Sequence, residues 1–160
     1  VLIQAFALIA KRMPTARLII AGSGEEEDNL KQLVKQMGLS EGVEFAGKVN
    51  EEEKVSLLQQ AWVFVNPSYM EGWGITTIEA NACGTTVVAA DVPGLRDSVN
   101  NPHTGFLVPH GDTQAFAQKI LLLFTNNGLR YTMGRHAVTW AKQFSWEKSA
   151  QKSLELLNLN

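Results

Sequence analysis

The chain has 160 residues, 45% of them hydrophobic and 19% charged, with a formal net charge of −2. That length suits one domain able to bury about 70% of the surface its unfolded form exposes, and the composition excludes a disordered chain. The slight negative charge gives no basis for nucleic-acid binding, one cysteine excludes an internal disulfide and fits a reducing compartment, and no apolar run reaches the roughly 20 residues of a membrane span.

The chain opens on Val1-Leu-Ile-Gln-Ala, with no initiator Met and no basic signal region, and reads as joined mid-sequence. Val1 to Lys11 carries apolar residues at helical spacing and stops before Pro14. Arg17 to Ala21 reads as a strand turned by Gly22-Ser-Gly24. Glu25 to Met37 reads as a helix with acids in its first turn and a glycine stop at Gly38. Val43 to Ala46 is a strand. Asn50 caps a helix over Glu51 to Ala61, with Glu53 at the capping-box position. Trp62 to Val65 is apolar, β-branched and aromatic, which suits a strand covered on both faces. Ile75 to Ala82 is a helix, Thr86 to Ala90 a buried strand, and Phe106 to Val108 a short one. Asp112 caps a helix to about Phe124. Gly128 separates it from a helix over Leu129 to Gln143, and a last helix runs from about Ser145 to Leu157. Strands alternating with helices predict an α/β domain with a parallel sheet and helices on both faces. Ligands in such sheets sit beyond the strand C-termini, so the loops at 22–24, 47–49, 67–74 and 91–95 line one crevice.

The stretch from Asn66 to Gly84 organises the rest. Pro67 and Ser68 stop a strand. Gly72 and Gly74 let the backbone approach a ligand closely. The first amides of the following helix lack internal partners and, with the helix dipole, attract phosphate. Glu71 lies on the loop, and Glu79 lies on the loop-facing side of the helix. Carboxylates there suit sugar hydroxyls, so the set describes a nucleotide sugar: diphosphate on the amides, one sugar on each glutamate.

Glu71-x7-Glu79 with Gly72-Trp-Gly74 between, followed by Glu79-Ala-Asn-Ala-Cys-Gly-Thr85, resembles the C-terminal, donor-binding domain of retaining glycosyltransferases of family 4, which have the GT-B fold. Ala21-Gly-Ser-Gly24, Phe45 to Val49, Asp91 to Leu95, Thr104 to Pro109, Gly111-Asp112 and Phe144-Ser-Trp-Glu147 follow in that family's order, so the resemblance covers nearly all of residues 1–160. It implies a Rossmann-like sheet and transfer of a glycosyl unit from a nucleotide sugar, such as a UDP- or GDP-sugar, with retention of configuration. It also implies that Glu71 holds donor-sugar hydroxyls, that Gly72, Trp73, Gly74 and Ile75 supply backbone N–H groups, and that Glu79 binds ribose. Lys48 and Val49 lie in the segment that edges the base pocket. Thr76 begins the helix, and its hydroxyl either meets phosphate or, like that of Thr77, caps its own backbone. Trp73 either walls the site or packs beside it. No cofactor and no metal ion are implied. A cytoplasmic chain is expected, and the family allows peripheral association of the full-length enzyme with the inner face of a membrane.

The departures are also specific. The family places a strand, then an Arg and a Lys that neutralise the diphosphate, before the helix that Val1 begins. Neither residue is present, and that strand is the sheet's central one, so open edges are expected beside Arg17–Ala21 and Trp62–Val65. The N-terminal acceptor domain, with its catalytic histidine, is likewise expected to lie outside residues 1–160. Thr86 replaces a proline. Ala21-Gly-Ser-Gly24 could pass for a dinucleotide loop, but it lacks the third glycine, and Glu25-Glu-Glu-Asp28 would repel pyrophosphate. His103, His110, His136 and Cys83 have no ligand spacing and read as structural or surface residues. Trp62, Trp140 and Trp146 read as core or interface. A non-catalytic nucleotide-sugar-binding remnant and a GT-B nucleotide-sugar epimerase remain as alternatives to the transferase.

Overall fold

The computed structural model describes residues 1–157. Helix α1 (Leu2–Arg12) leads to strand β1 (Leu18–Ala21), α2 (Glu27–Gln36), β2 (Val43–Gly47), α3 (Glu51–Gln60) and β3 (Val63–Asn66). Then come α4 (Ile75–Ala82), β4 (Thr86–Ala90), α5 (Leu95–Ser98), β5 (Gly105–Val108), α6 (Thr113–Thr125), α7 (Asn127–Ala141) and α8 (Trp146–Leu157). The expected elements are found in order, with the short α5 added between β4 and β5, and the bounds of α4 and β4 fall where the sequence places them.

Local chemistry sets the helix starts. The Asn50 side chain accepts from the Glu53 N–H while the Glu53 side chain accepts from the Asn50 N–H, the reciprocal pair expected for α3. Asp112 accepts from the Ala115 N–H at 2.9 Å and starts α6. Two readings need correction here. Gly128 does not separate two helices: Asn126 ends α6 and caps α7 by accepting from the Leu129 N–H, so Gly128 lies in the first turn of α7. The sequence reads no helix between β4 and β5, whereas Leu95–Ser98 forms a short one after the 91–95 loop.

All strand pairs are parallel, and the strands form two sheets. β1 pairs with β2, and β3, β4 and β5 form the other sheet in that order. Among the described residues β1 and β3 are hydrogen-bonded along one side only, as the two expected open edges require. β4, held between two neighbours, is buried at all five positions, and α4, α6 and α7 pack against it. Around it gather Leu95, Val99, Val108, Phe116, Ile120, Leu123 and Met133, with Ala5 and Ile9 of α1.

β3 is less covered than its composition suggests: Val63, Phe64 and Val65 are half-buried. Trp62 lies outside the core of this domain. It is half exposed, with Phe124 edge-on at 5.5 Å and the Arg130 guanidinium 4.1 Å over its ring, because the end of β3 meets solvent rather than a further layer. Trp140 is half-buried, and its indole N–H donates to the Ser98 carbonyl at 3.0 Å. The Trp146 side chain lies outside the described residues. No helix among the described residues is long and apolar enough to cross a membrane.

Candidate functional site

The β3–α4 connection begins with Asn66, whose buried side chain accepts from the Ser68 N–H at 3.1 Å and bends the chain out of the strand. The loop ends at Gly74, the N-cap of α4, in left-handed backbone with φ 73°. A side chain is excluded there twice over. Left-handed backbone disfavours one, and a Cβ would sit 2.7 Å from Ser98 Oγ and 2.8 Å from Leu95 Cδ2. Gly74 brings no capping side chain. The first backbone bonds at this end run from the Thr77 and Ile78 N–H groups to the Gly74 carbonyl. The Ile75 and Thr76 N–H groups have no acceptor among the described residues, so two donors and the positive end of the dipole face the loop together.

A second segment braces this loop from behind. Gly94, φ 79°, lies against the Glu71–Gly72 backbone: a Cβ there would collide with the Glu71 carbonyl oxygen and come within 2.8 Å of that of Gly72. The sequence reads residues 91–95 as a crevice loop but does not signal this contact. Trp73 packs edge-on against Phe144, ring centroids 4.9 Å apart, and Trp140 packs on the same ring at 5.0 Å. The Trp140 bond to Ser98 then ties this aromatic column to α5, so the loop is held by the 94–98 segment and by the end of α7.

The expected site residues fall as follows. Glu71 is half-buried, and its carboxylate makes no hydrogen bond or ion pair among the described residues. Gly72 is exposed, with no atom within 4 Å of a notional Cβ, so its backbone is open to approach. Ile75 and Thr76 are exposed at the helix start, which leaves their N–H groups reachable. Thr77 differs: it is fully buried, and its hydroxyl neither caps the helix nor reaches the loop surface. Glu79 is half-buried on α4 and accepts from Lys54 Nζ at 2.9 Å. Lys48 is exposed and Val49 half-buried, both in the turn between β2 and α3. The Lys54–Glu79 contact joins α3, which follows that turn, to the site helix. No pattern in the sequence signals it, because the two residues are 25 positions apart.

Outside the loop, Cys83 ends α4, and burial first, then the Glu79 charge, push its thiol pKa up. That lowers its thiolate fraction at neutral pH. His103 and His136 face each other edge-on at 6.4 Å, and no three His, Cys, Asp or Glu side chains among the described residues gather to hold a metal ion. Arg96 pairs with Asp91 at 2.6 Å beside the bracing segment.

The family model described as "Glycosyl transferases group 1" matches residues 1–140. A D-inositol 3-phosphate glycosyltransferase of Corynebacterium urealyticum is 36% identical over 163 residues, covering 98% of this chain and 38% of the relative. The protein of the same name from Kribbella flavida is 36% identical over 162 residues, covering 96% and 38%. The chain thus spans about two fifths of the length of these relatives. Among solved structures, Anabaena HepE in complex with UDP-glucose superposes with a TM-score of 0.88 at 27% identity, over 99% of this chain and 44% of that one. The C-terminal domain of LpcC, a glycosyl transferase group 1 family protein from Francisella tularensis, gives 0.80 at 25% identity, over 89% and 76%.

Proposed function

Because the chain belongs to the group 1 glycosyl transferases and forms a C-terminal domain of the GT-B fold, we propose that it supplies the nucleotide-sugar donor site of a retaining glycosyltransferase of family 4. One observation carries this reading. The start of α4 presents the unpartnered Ile75 and Thr76 N–H groups in an open loop, with one carboxylate before it and another a turn inside it.

In this reading the diphosphate lies on the Gly74 to Thr76 amides, where free donors and the dipole hold it without recourse to a metal ion. Gly72, Trp73 and Gly74 offer backbone N–H groups to the donor sugar, and Glu71, with no protein partner, accepts its hydroxyls. Glu79 accepts from the ribose, and Lys48 and Val49 edge the base. The UDP-glucose of the Anabaena neighbour makes a uridine diphosphate sugar the first donor to test. The acceptor and its positioning groups belong to an N-terminal domain. Proximity contributes up to about 7–11 kcal/mol to such reactions. A helix terminus contributes about 0.3–2 kcal/mol per interaction. The 160-residue chain alone is therefore expected to bind donor weakly and not to transfer sugar.

The test separates the two glutamates in the full-length protein. Glu79→Gln weakens a charge-assisted hydrogen bond to ribose, so donor KM rises about tenfold or more. Glu71→Ala lowers kcat while calorimetry with UDP alone stays near wild type, because the product nucleotide lacks the transferred sugar. Equal losses for UDP and for the UDP-sugar in Glu71→Ala would remove Glu71 from the sugar site. Product analysis that finds an epimerised nucleotide sugar, or no turnover with any acceptor, would replace the transferase reading.

A further inference from the structure

The surroundings of Glu79 draw in a residue that lies outside the donor loop. Lys54 stands one turn into α3 and donates from Nζ to Glu79 Oε1 at 2.9 Å. The same ammonium lies 3.0 Å from Glu51 Oε1 and 2.9 Å from its Oε2. Of the four ion pairs among the described residues, three join residues three to five positions apart, whereas Lys54–Glu79 joins two helices across 25 positions. It is also the more sheltered kind, with side-chain exposures of 24% and 33%, against 56% and 43% for Arg96–Asp91.

Two further features give the pair a directional effect. Glu79 Oε2 is buried and has no hydrogen-bond partner. The exposed part of the side chain therefore excludes Oε2, and a hydroxyl that Glu79 accepts in this arrangement comes to Oε1, the oxygen that Lys54 orients. Lys54 is itself anchored: Glu51 draws it from its own helix, and hydrogen bonds to Glu51 and then Glu79 hold its pKa above the ordinary lysine range. A lysine left free is a mobile point charge, but one held from both sides fixes the carboxylate it touches.

We propose that Lys54 is a positioning residue for nucleotide recognition, holding the Glu79 carboxylate in the orientation that accepts the hydroxyls of a ribose diol. The inference rests on the reading of Glu79 as the ribose ligand, and the test keeps the two apart.

The measurement is the ratio of dissociation constants for 2′-deoxy-UDP and UDP in the full-length protein, by titration calorimetry, alongside the melting temperature. A charge-assisted bond to the 2′-hydroxyl corresponds to a wild-type ratio of about ten or more. Lys54→Met keeps the stem and removes the charge, and the ratio is expected to fall severalfold towards one. Lys54→Gln, a second neutral variant, is expected to do the same, while Lys54→Arg retains most of the preference. A lower melting temperature with an unchanged ratio in Lys54→Met or Lys54→Gln would mean that Lys54 only staples α3 to α4, and would overturn the proposal. Glu79→Gln is the reference arm. If it abolishes the ratio while both neutral Lys54 variants keep it, the positioning role falls and the ribose reading stands. If Glu79→Gln also keeps the ratio, or the wild type shows no preference, the ribose reading falls and takes the proposal with it.

Discussion

β1 and β4 are written in nearly the same alphabet, Leu18-Ile-Ile-Ala21 and Thr86-Val-Val-Ala-Ala90, yet they meet different fates. β4 is buried at every position, whereas β1 alternates between half-buried and exposed and leaves Ile19 44% exposed. The difference lies in their neighbours. β4 is hydrogen-bonded on both sides and covered by helices, while β1 has β2 alone. An apolar β-branched run therefore specifies a strand, and the number of partners specifies its burial. The same contrast runs through the loops. Those after β1 and β2 hold open glycines, and the loop after β4 is packed onto the 67–74 loop.

The sharpest way to break this comparison is through the two cores. Phe116 of α6 is fully buried in the cluster around β4, so Phe116→Ala is expected to cost about 3–5 kcal/mol. Ile19→Ala on β1 removes a side chain already close to half exposed and is expected to cost under about 1 kcal/mol. Urea unfolding of both variants gives the two numbers, and equal losses would show that the β1 side carries as much of the core as the β4 side.

A smaller effect sharpens the loop contrast. Gly94→Ala and Gly22→Ala both place a Cβ on left-handed backbone, with φ 79° and 126°, and each is expected to lose about 1–3 kcal/mol from that strain. Only at Gly94 does the Cβ also meet the Glu71 and Gly72 carbonyls. Gly94→Ala should therefore weaken UDP-sugar binding about tenfold beyond Gly22→Ala, since displacing a positioned loop by a fraction of an ångström erodes oriented contacts. Matching affinities in the two variants would show that the brace behind the 67–74 loop is passive.

The smallest effect concerns Cys83, at the covered end of α4. Its thiol pKa is raised, so less thiolate is present at neutral pH than in a free cysteine, and alkylation at pH 7.5 is expected to be slower than that of a model thiol. Burial is the main cause and the Glu79 charge the lesser one. Glu79→Gln should accordingly speed alkylation only slightly. A large acceleration would place the Glu79 charge ahead of burial at this thiol.

Much of the candidate site is legible in the sequence. Glu71, Gly72, Gly74 and the start of α4 stand out because a strand stop, two glycines and a helix start follow one another between Pro67 and Ile75. Lys54 left none: in sequence it is one more charged residue after three glutamates. Phe144 was visible only as part of Phe144-Ser-Trp-Glu147, with nothing to say that its ring backs Trp73.

The division follows the range of the forces. The sequence by itself determined the order of the helices and strands apart from α5, the capping pair at Asn50 and Glu53, the Asp112 cap and the bounds of α4. Each rests on hydrogen bonds between near neighbours or on a period of two or 3.6 residues. The tertiary structure alone decided that β3 is only half-buried, that Gly94 supports the Glu71–Gly72 backbone, that Trp73 packs on Phe144 and that Lys54 holds Glu79. Those contacts join residues roughly 20 to 70 positions apart. They exist only once packing has brought separate elements together, and no local pattern records which elements will meet.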